Sequence, residues 1–187
     1  MTGRIERLKE NYEIEIRRVA FPLRPDTPEE GITMEKLFSE RGVDPVQVQE
    51  RLEQTAREEN LPFGKREKTY NSRLAQELGK WAETRGVGDR IHDAIFRACL
   101  VDGKNIGRIS VLVELVEREG LPSEEAETVL KKRTFKKHVD RDWLRSREMR
   151  VRIIPTLAFN GRFLVGARDY EKMARFVERN YTPSAHP

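Results

Sequence analysis

A single thiol is the first residue in this sequence that could carry chemistry. Cys99 is the sole cysteine among 187 residues, so it cannot close an internal disulfide, and any redox role would need a second thiol from elsewhere. It follows Ile91, Ile95 and Ala98 at helical spacing and precedes Leu100, an apolar setting that raises a thiol pKa and makes the sulfur inert. The spacing therefore predicts a buried structural cysteine; the rival role, a sensor or mixed-disulfide thiol, predicts rapid maleimide labelling of the folded protein. The three histidines, His92, His138 and His186, share no metal-ligand spacing with one another or with Cys99, which argues against a structural metal. Gly86 and Gly88 lack the remaining glycines of a phosphate loop, and no Gly-x-Ser-x-Gly elbow occurs. Acidic pairs such as Glu124-Glu125 stand where they complement a helix dipole rather than act as acid and base.

The second chemical feature is Ile154-Pro155-Thr156. A proline opening an otherwise apolar strand must sit where its missing N–H does no harm. A cis Ile154–Pro155 bond would turn the chain so that Ile154 presents backbone N–H and C=O groups to an extended partner. An ordinary trans proline at a strand start is the alternative.

The elements that must position these residues follow from periodicity. Residues 2–11 read as a short helix, with Ile5 and Leu8 on one side. Residues 12–19 alternate, Tyr12, Ile14 and Ile16 against Glu13, Glu15 and Arg17, which predicts a strand with one buried face. Pro22, Pro25 and Pro28 then impose an extended connector. From residue 33 to about 148 the pattern is helical: Thr33 and Asp44-Pro45 are start signals, Gly42 is a stop, and Asn71-Ser72, Asp89, Ser110 and Ser123 open further helices. Their apolar stripes include Val48, Leu52 and Ala56; Leu74, Leu78 and Trp81; Leu112, Leu115 and Val116; and Ala126, Val129 and Leu130. A basic helix near 134–148 carries Phe135, Val139 and Trp143. The period then changes: VRIIPTLAF and RFLVGA flank Asn160-Gly161, the dipeptide most favourable to a tight hairpin turn. Asp169 caps a closing helix with Met173, Phe176 and Val177, and 182–187 trail off as a tail.

Composition limits the partners. Hydrophobic residues make up 37% and charged residues 36%, enough apolar residues at regular spacing to exclude disorder. The 36 basic and 32 acidic residues alternate in sign within helix turns, which makes solvated faces rather than a nucleic-acid track. No apolar run approaches the ~18 residues of a membrane span, and the charged start MTGRIERLKEN is unlike a signal peptide. The expectation is a cytoplasmic protein with no nucleic-acid or membrane partner.

A resemblance joins these pieces. VRIIPTLAFNGR resembles the stretch of thioredoxin-fold proteins in which Ile or Val, cis-Pro and Thr face a dithiol. With FPLRPDTPEEG, Asn71-Ser72 and FRACLVDGKNI it resembles the FrnE-type branch of the DsbA-like oxidoreductases over nearly the whole chain. Arg150 and Ile153 stand where that family usually has glycines. The resemblance implies an α/β thioredoxin-like fold with a large all-helical insertion. Residues 1–32 and 149–181 would form the thioredoxin-like part, and 33–148 the insertion. It also implies disulfide exchange without cofactor or metal, a thiol or peptide substrate, and substrate binding by Ile154, Pro155 and Thr156. In that family a first strand and a Cys-x-x-Cys precede the helix that GRIERLKEN resembles, so the expectation is an N-terminally truncated member, inactive in dithiol exchange. A gap left by that strand would be closed by a shift of strands or by a homodimer. Two other classes fit the same architecture: the glutathione-using 2-hydroxychromene-2-carboxylate isomerases and kappa-type transferases, and a non-catalytic peptide- or protein-binding module.

Overall fold

The structure is a computed structural model that describes residues 2–39, 42–58 and 61–181, and the expected tail at 182–187 lies outside the described residues. The chain divides into two units, Met1–Phe21 with Asp142–Pro187, and Pro22–Arg141. The sequence reading sets its boundaries at 32/33 and 148/149 instead. The connector belongs to the helical unit because it is tied there: the Asn71 side chain donates to the Pro25 and Thr27 carbonyls (2.9 and 3.1 Å), and Asn105 donates to Glu29 O (2.9 Å).

In chain order the elements are α1 (Thr2–Asn11), β1 (Ile32–Thr33), α2 (Met34–Ser39), α3 (Pro45–Glu58), β2 (Lys68–Thr69), α4 (Arg73–Glu83) and α5 (Gly88–Leu100). They continue with α6 (Ile109–Arg118), α7 (Ser123–Lys131), α8 (Lys136–Glu148), β3 (Thr156–Phe159), β4 (Arg162–Val165) and α9 (Tyr170–Asn180). The division between the units falls within α8.

The helical unit is built on α4 to α7. Leu78, Ile91, Leu112, Val116 and Leu130 have no exposed surface and Trp81 very little, so the predicted stripes meet in one core. Thr33 and Asp44 act as start signals: Thr33 Oγ1 accepts from Lys36 N–H and Asp44 Oδ1 from Val46 N–H. Asn71, rather than Ser72, accepts from Arg73 N–H at the start of α4. Ser110 and Ser123 fall inside their helices, which begin without a side-chain cap. Leu52, expected in the core, is exposed, because α3 seats only Ala56 deeply. The β1–β2 pairing, Ile32 with Thr69 and Thr33 with Lys68, is too short to leave a period in the sequence. It is locked by Gly31, at φ +80°, where a Cβ would lie 2.6 Å from the Tyr70 ring.

The other unit places α1 and α9 around Ile5, Leu8, Met173, Ala174 and Val177. Asp169 caps α9 by accepting from Lys172 N–H (2.8 Å). Residues 12–19, predicted as a strand, lie with Tyr12, Ile14 and Ile16 against this core, but among the described residues they join no ladder. Alternating burial needs only a face to lie on, whereas a strand also needs a backbone partner. The segment is fixed at its two ends. The Tyr12 hydroxyl donates to Glu178 (2.5 Å), whose bond and charge push the phenol up to about 12, and Ala20 N–H donates to the buried Asp142 carboxylate (2.9 Å).

Candidate functional site

The hairpin β3–β4 is formed as its turn residues demand. Asn160 and Gly161 take positive φ (46° and 74°), the left-handed pair of a type I′ turn, and put Phe159 opposite Arg162. In an antiparallel ladder hydrogen-bonded pairs alternate with pairs that are not, starting from the pair that closes a two-residue turn. Phe159 and Leu157 therefore bond across to β4, and the Gly166 N–H donates to Pro155 O at 2.8 Å, on the same rung series. Thr156 and Ala158 consequently aim their N–H and C=O groups away from β4, at an edge that no strand covers among the described residues. The Ile154–Pro155 bond at the head of that edge is cis.

The two faces of the hairpin differ. Leu157, Phe159 and Leu164 pack on the α1/α9 core, while Thr156, Ala158, Phe163 and Val165 share the opposite face. There Phe163 and Val165 are each 41% exposed and Ile153 57%, and Ile154 is exposed as well. Isolated exposed apolar residues are ordinary, but a contiguous group on a sheet face marks a place of binding. Phe163, Val165, Ile153 and Thr156 line a cleft of about 260 Å³ together with Met149 and Val151, and Arg150 and Arg152 complete its wall. Thus Ile154, Pro155 and Thr156 lie at the head of a free strand edge beside an apolar, cation-flanked cleft. The sequence indicated the three residues; it did not indicate Phe163 and Val165, whose exposure depends on which hairpin face the core takes.

Cys99 lies elsewhere, in the helical unit on α5, half-buried, with the Arg66 guanidinium 4.0 Å from its sulfur. Burial pushes its thiol up and the positive charge and hydrogen bond of Arg66 pull only part of the way back, so the thiolate is scarce at neutral pH. His92 and His138 stack near Phe96 and Phe135, and no group of acids, histidines and cysteine able to hold a metal occurs among the described residues. His186 lies outside them.

A larger cavity of about 620 Å³ in the helical unit is lined by Glu29, Asn71, Arg73, Arg108, Ser110 and Arg133 among others. Two of its three arginines are committed. Buried Glu77 accepts from both Arg73 (2.7 Å) and Arg133 (2.7 and 2.8 Å), and Arg73 also reaches Asp140 (2.6 Å). These bonds outweigh the burial that would otherwise raise it, and hold the Glu77 carboxyl below the ordinary carboxylate range. The network fastens α4 to the turn before α8.

The sequence model of the DSBA-like thioredoxin domain matches residues 1–178. No curated protein matches the chain. Among solved structures, a probable DsbA oxidoreductase from Streptomyces coelicolor superposes at a TM-score of 0.88 and 20% identity, over 100% of this chain and 86% of that one. A 2-hydroxychromene-2-carboxylate isomerase gives 0.72 and 17%, over 94% and 84%. The cytosolic disulfide reductase DsbM from Pseudomonas aeruginosa gives 0.51 and 24%, over 64% and 68%. At these identities the likeness is one of fold: a thioredoxin fold carrying a mostly helical insertion.

Proposed function

Because the chain belongs to the family of DSBA-like thioredoxin domains, we propose that it engages a thiol-bearing or peptide substrate of the DsbA-like oxidoreductases along the β3 edge, with Ile154, Pro155 and Thr156 as the substrate-binding residues. The observation that carries this reading is the outward-facing backbone of Thr156 and Ala158 beside the apolar cleft. An extended chain laid there gains main-chain hydrogen bonds from the edge and a pocket for every second side chain. These 187 residues hold one cysteine, so they do not turn over a dithiol by themselves. Exchange between two sulfurs needs them within bonding reach, and a lone thiol goes no further than a mixed disulfide. No metal or cofactor enters this scheme.

The experiment is binding of extended peptides to the full chain, followed by calorimetry, beside an insulin-reduction assay. A peptide should bind, its N-methylated analogue at alternate positions should not, and insulin reduction should stay at the rate of a free thiol. Equal binding of both peptides would remove the edge from the site; reduction that survives Cys99→Ser would remove the argument from sulfur.

The superposition on a 2-hydroxychromene-2-carboxylate isomerase favours one second reading, a glutathione-using isomerase or transferase. Arg150 and Arg152 beside the cleft suit the carboxylates of such a tripeptide. Glutathione titrated in the same calorimeter separates the two, since only this reading expects it to bind in place of the longer peptide.

A further inference from the structure

Four helices of this chain, α4, α6, α7 and α8, close with the same pair of backbone bonds. After α4 the Gly86 N–H donates to Glu83 O and the Val87 N–H to Ala82 O; after α6 the Gly120 N–H donates to Glu117 O and the Leu121 N–H to Val116 O. The first residue of each pair takes positive φ, which suits glycine, and Gly86 and Gly120 lie at 70° and 67°. The same closure ends α7 at Arg133 (φ 54°) and α8 at Arg150 (φ 55°), where a Cβ is disfavoured. An arginine kept in that conformation is accounted for when its side chain makes contacts that offset the strain. Arg133 makes them, bonding to Glu77 at 2.7 and 2.8 Å. Arg150 does not: among the described residues it forms no ion pair and no side-chain hydrogen bond.

Arg150 instead lines the cleft that Ile153, Phe163 and Val165 make apolar, beside Arg152, which is likewise unpaired among the described residues. The surroundings supply little negative charge. From Arg145 to Arg168 the sequence has six arginines and a single acid, Glu148, although the whole chain is only +4. Arg145 and Arg147 suit the last turn of α8, and Arg168 bonds Val165 O. The helix dipole does not explain Arg150, because α4 and α6 have the same dipole and end on glycine. We propose that Arg150, with Arg152, selects an extended peptide in which an acidic residue neighbours the apolar residue seated in the cleft. The inference rests on the reading that a peptide lies at this cleft, and adds the charge that peptide carries. Two unpaired guanidinium groups attract a carboxylate and disfavour a basic partner, while the apolar wall takes the neighbouring side chain.

Calorimetry on the full chain tests this with three extended peptides, identical except that glutamate, glutamine or lysine stands on both sides of one leucine. The wild-type chain should bind the glutamate peptide about fivefold more tightly than the glutamine peptide, and the lysine peptide more weakly than either. Arg150→Gly should cut that preference to about twofold while raising the melting temperature by about 2 to 4 °C, because glycine relieves the left-handed backbone. Arg150→Lys keeps the charge and should keep the preference without the gain in melting temperature. Arg150→Glu should turn the preference toward the lysine peptide. Free glutathione in excess should leave the glutamate peptide bound. Equal affinity for the three peptides, a preference that Arg150→Gly leaves intact, or displacement by glutathione would each overturn the proposal. Failure of all three peptides to bind would overturn the peptide reading itself, and this inference with it.

Discussion

The helical unit and the unit bearing the hairpin hold their apolar residues in different ways. In the helical unit every main element is an α-helix, so backbone hydrogen bonds are closed within each segment and side chains alone decide the packing. Leu78, Ile91, Leu112, Val116 and Leu130 lie fully out of water as a result. In the other unit the segment 12–19 and the β3–β4 hairpin lie on the α1/α9 core, and their inward residues, Ile14, Ile16, Leu157, Phe159 and Leu164, are only partly buried. A strand bonds sideways, so a strand without a neighbour exposes its backbone however well one face is packed. The difference is one of backbone satisfaction: the helical unit closes its hydrogen bonds within each helix, and the other leaves strand edges uncovered among the described residues.

The comparison can be broken most sharply by truncating the best-buried side chains. Leu78→Ala should cost about 3 to 5 kcal/mol, as fully buried leucines do, read from urea unfolding. Phe163→Ser on the outer hairpin face should stay within about 0.5 kcal/mol while weakening the binding of an apolar extended peptide. Equal stability losses at the two positions would refute the contrast between a closed core and an open face.

Next in size is the buried carboxylate. Glu77→Gln should destabilise by about 2 to 3 kcal/mol, because Arg73 and Arg133 lose the charge that both address, and less than a wholly buried pair because Arg133 is 41% exposed. The pH dependence has a definite sign. The folded Glu77 pKa lies below its unfolded value of about 4.3, so its contribution is complete above that pH and is lost as pH falls through the folded pKa. Acid unfolding of the helical unit should therefore shift toward higher pH in the wild type than in a hypothetical uncharged core, and Glu77→Gln should flatten the acid limb. An unchanged acid limb would show that the network does not fasten α4.

The smallest effect sharpens the other side. Asp169→Ala should cost about 1 kcal/mol by leaving Lys172 N–H without its side-chain acceptor at the start of α9. Since α9 backs both extended segments, the loss should show in hydrogen exchange at Ile14, Ile16 and the hairpin before it shows at Leu112. A uniform change across both units would contradict their separate description.

Much of the molecule was legible from the chain because helices are local. The spacing of Leu74, Leu78 and Trp81 and of Leu112, Leu115 and Val116, the signals at Thr33 and Asp44, and the Asn160-Gly161 turn each express a bond made within a few residues, so sequence proximity carries them. The Ile154-Pro155-Thr156 motif and the resemblance built around it were legible in the same way. The period of Tyr12, Ile14 and Ile16 was also in the sequence, and it correctly marked which side meets the core.

Contacts between residues far apart in the chain came from the fold instead. No local pattern says that residues 12–19 find no ladder among the described residues, that Asn71 and Asn105 draw the proline connector onto the helical unit, that Arg133 reaches Glu77 across 56 positions, or that Arg66 stands at Cys99. Alternation records a face, helical spacing records a stripe, and both are properties of one segment. A backbone partner, an ion-pair network and the exposed side of a hairpin are properties of two or more segments, fixed by how the chain returns upon itself.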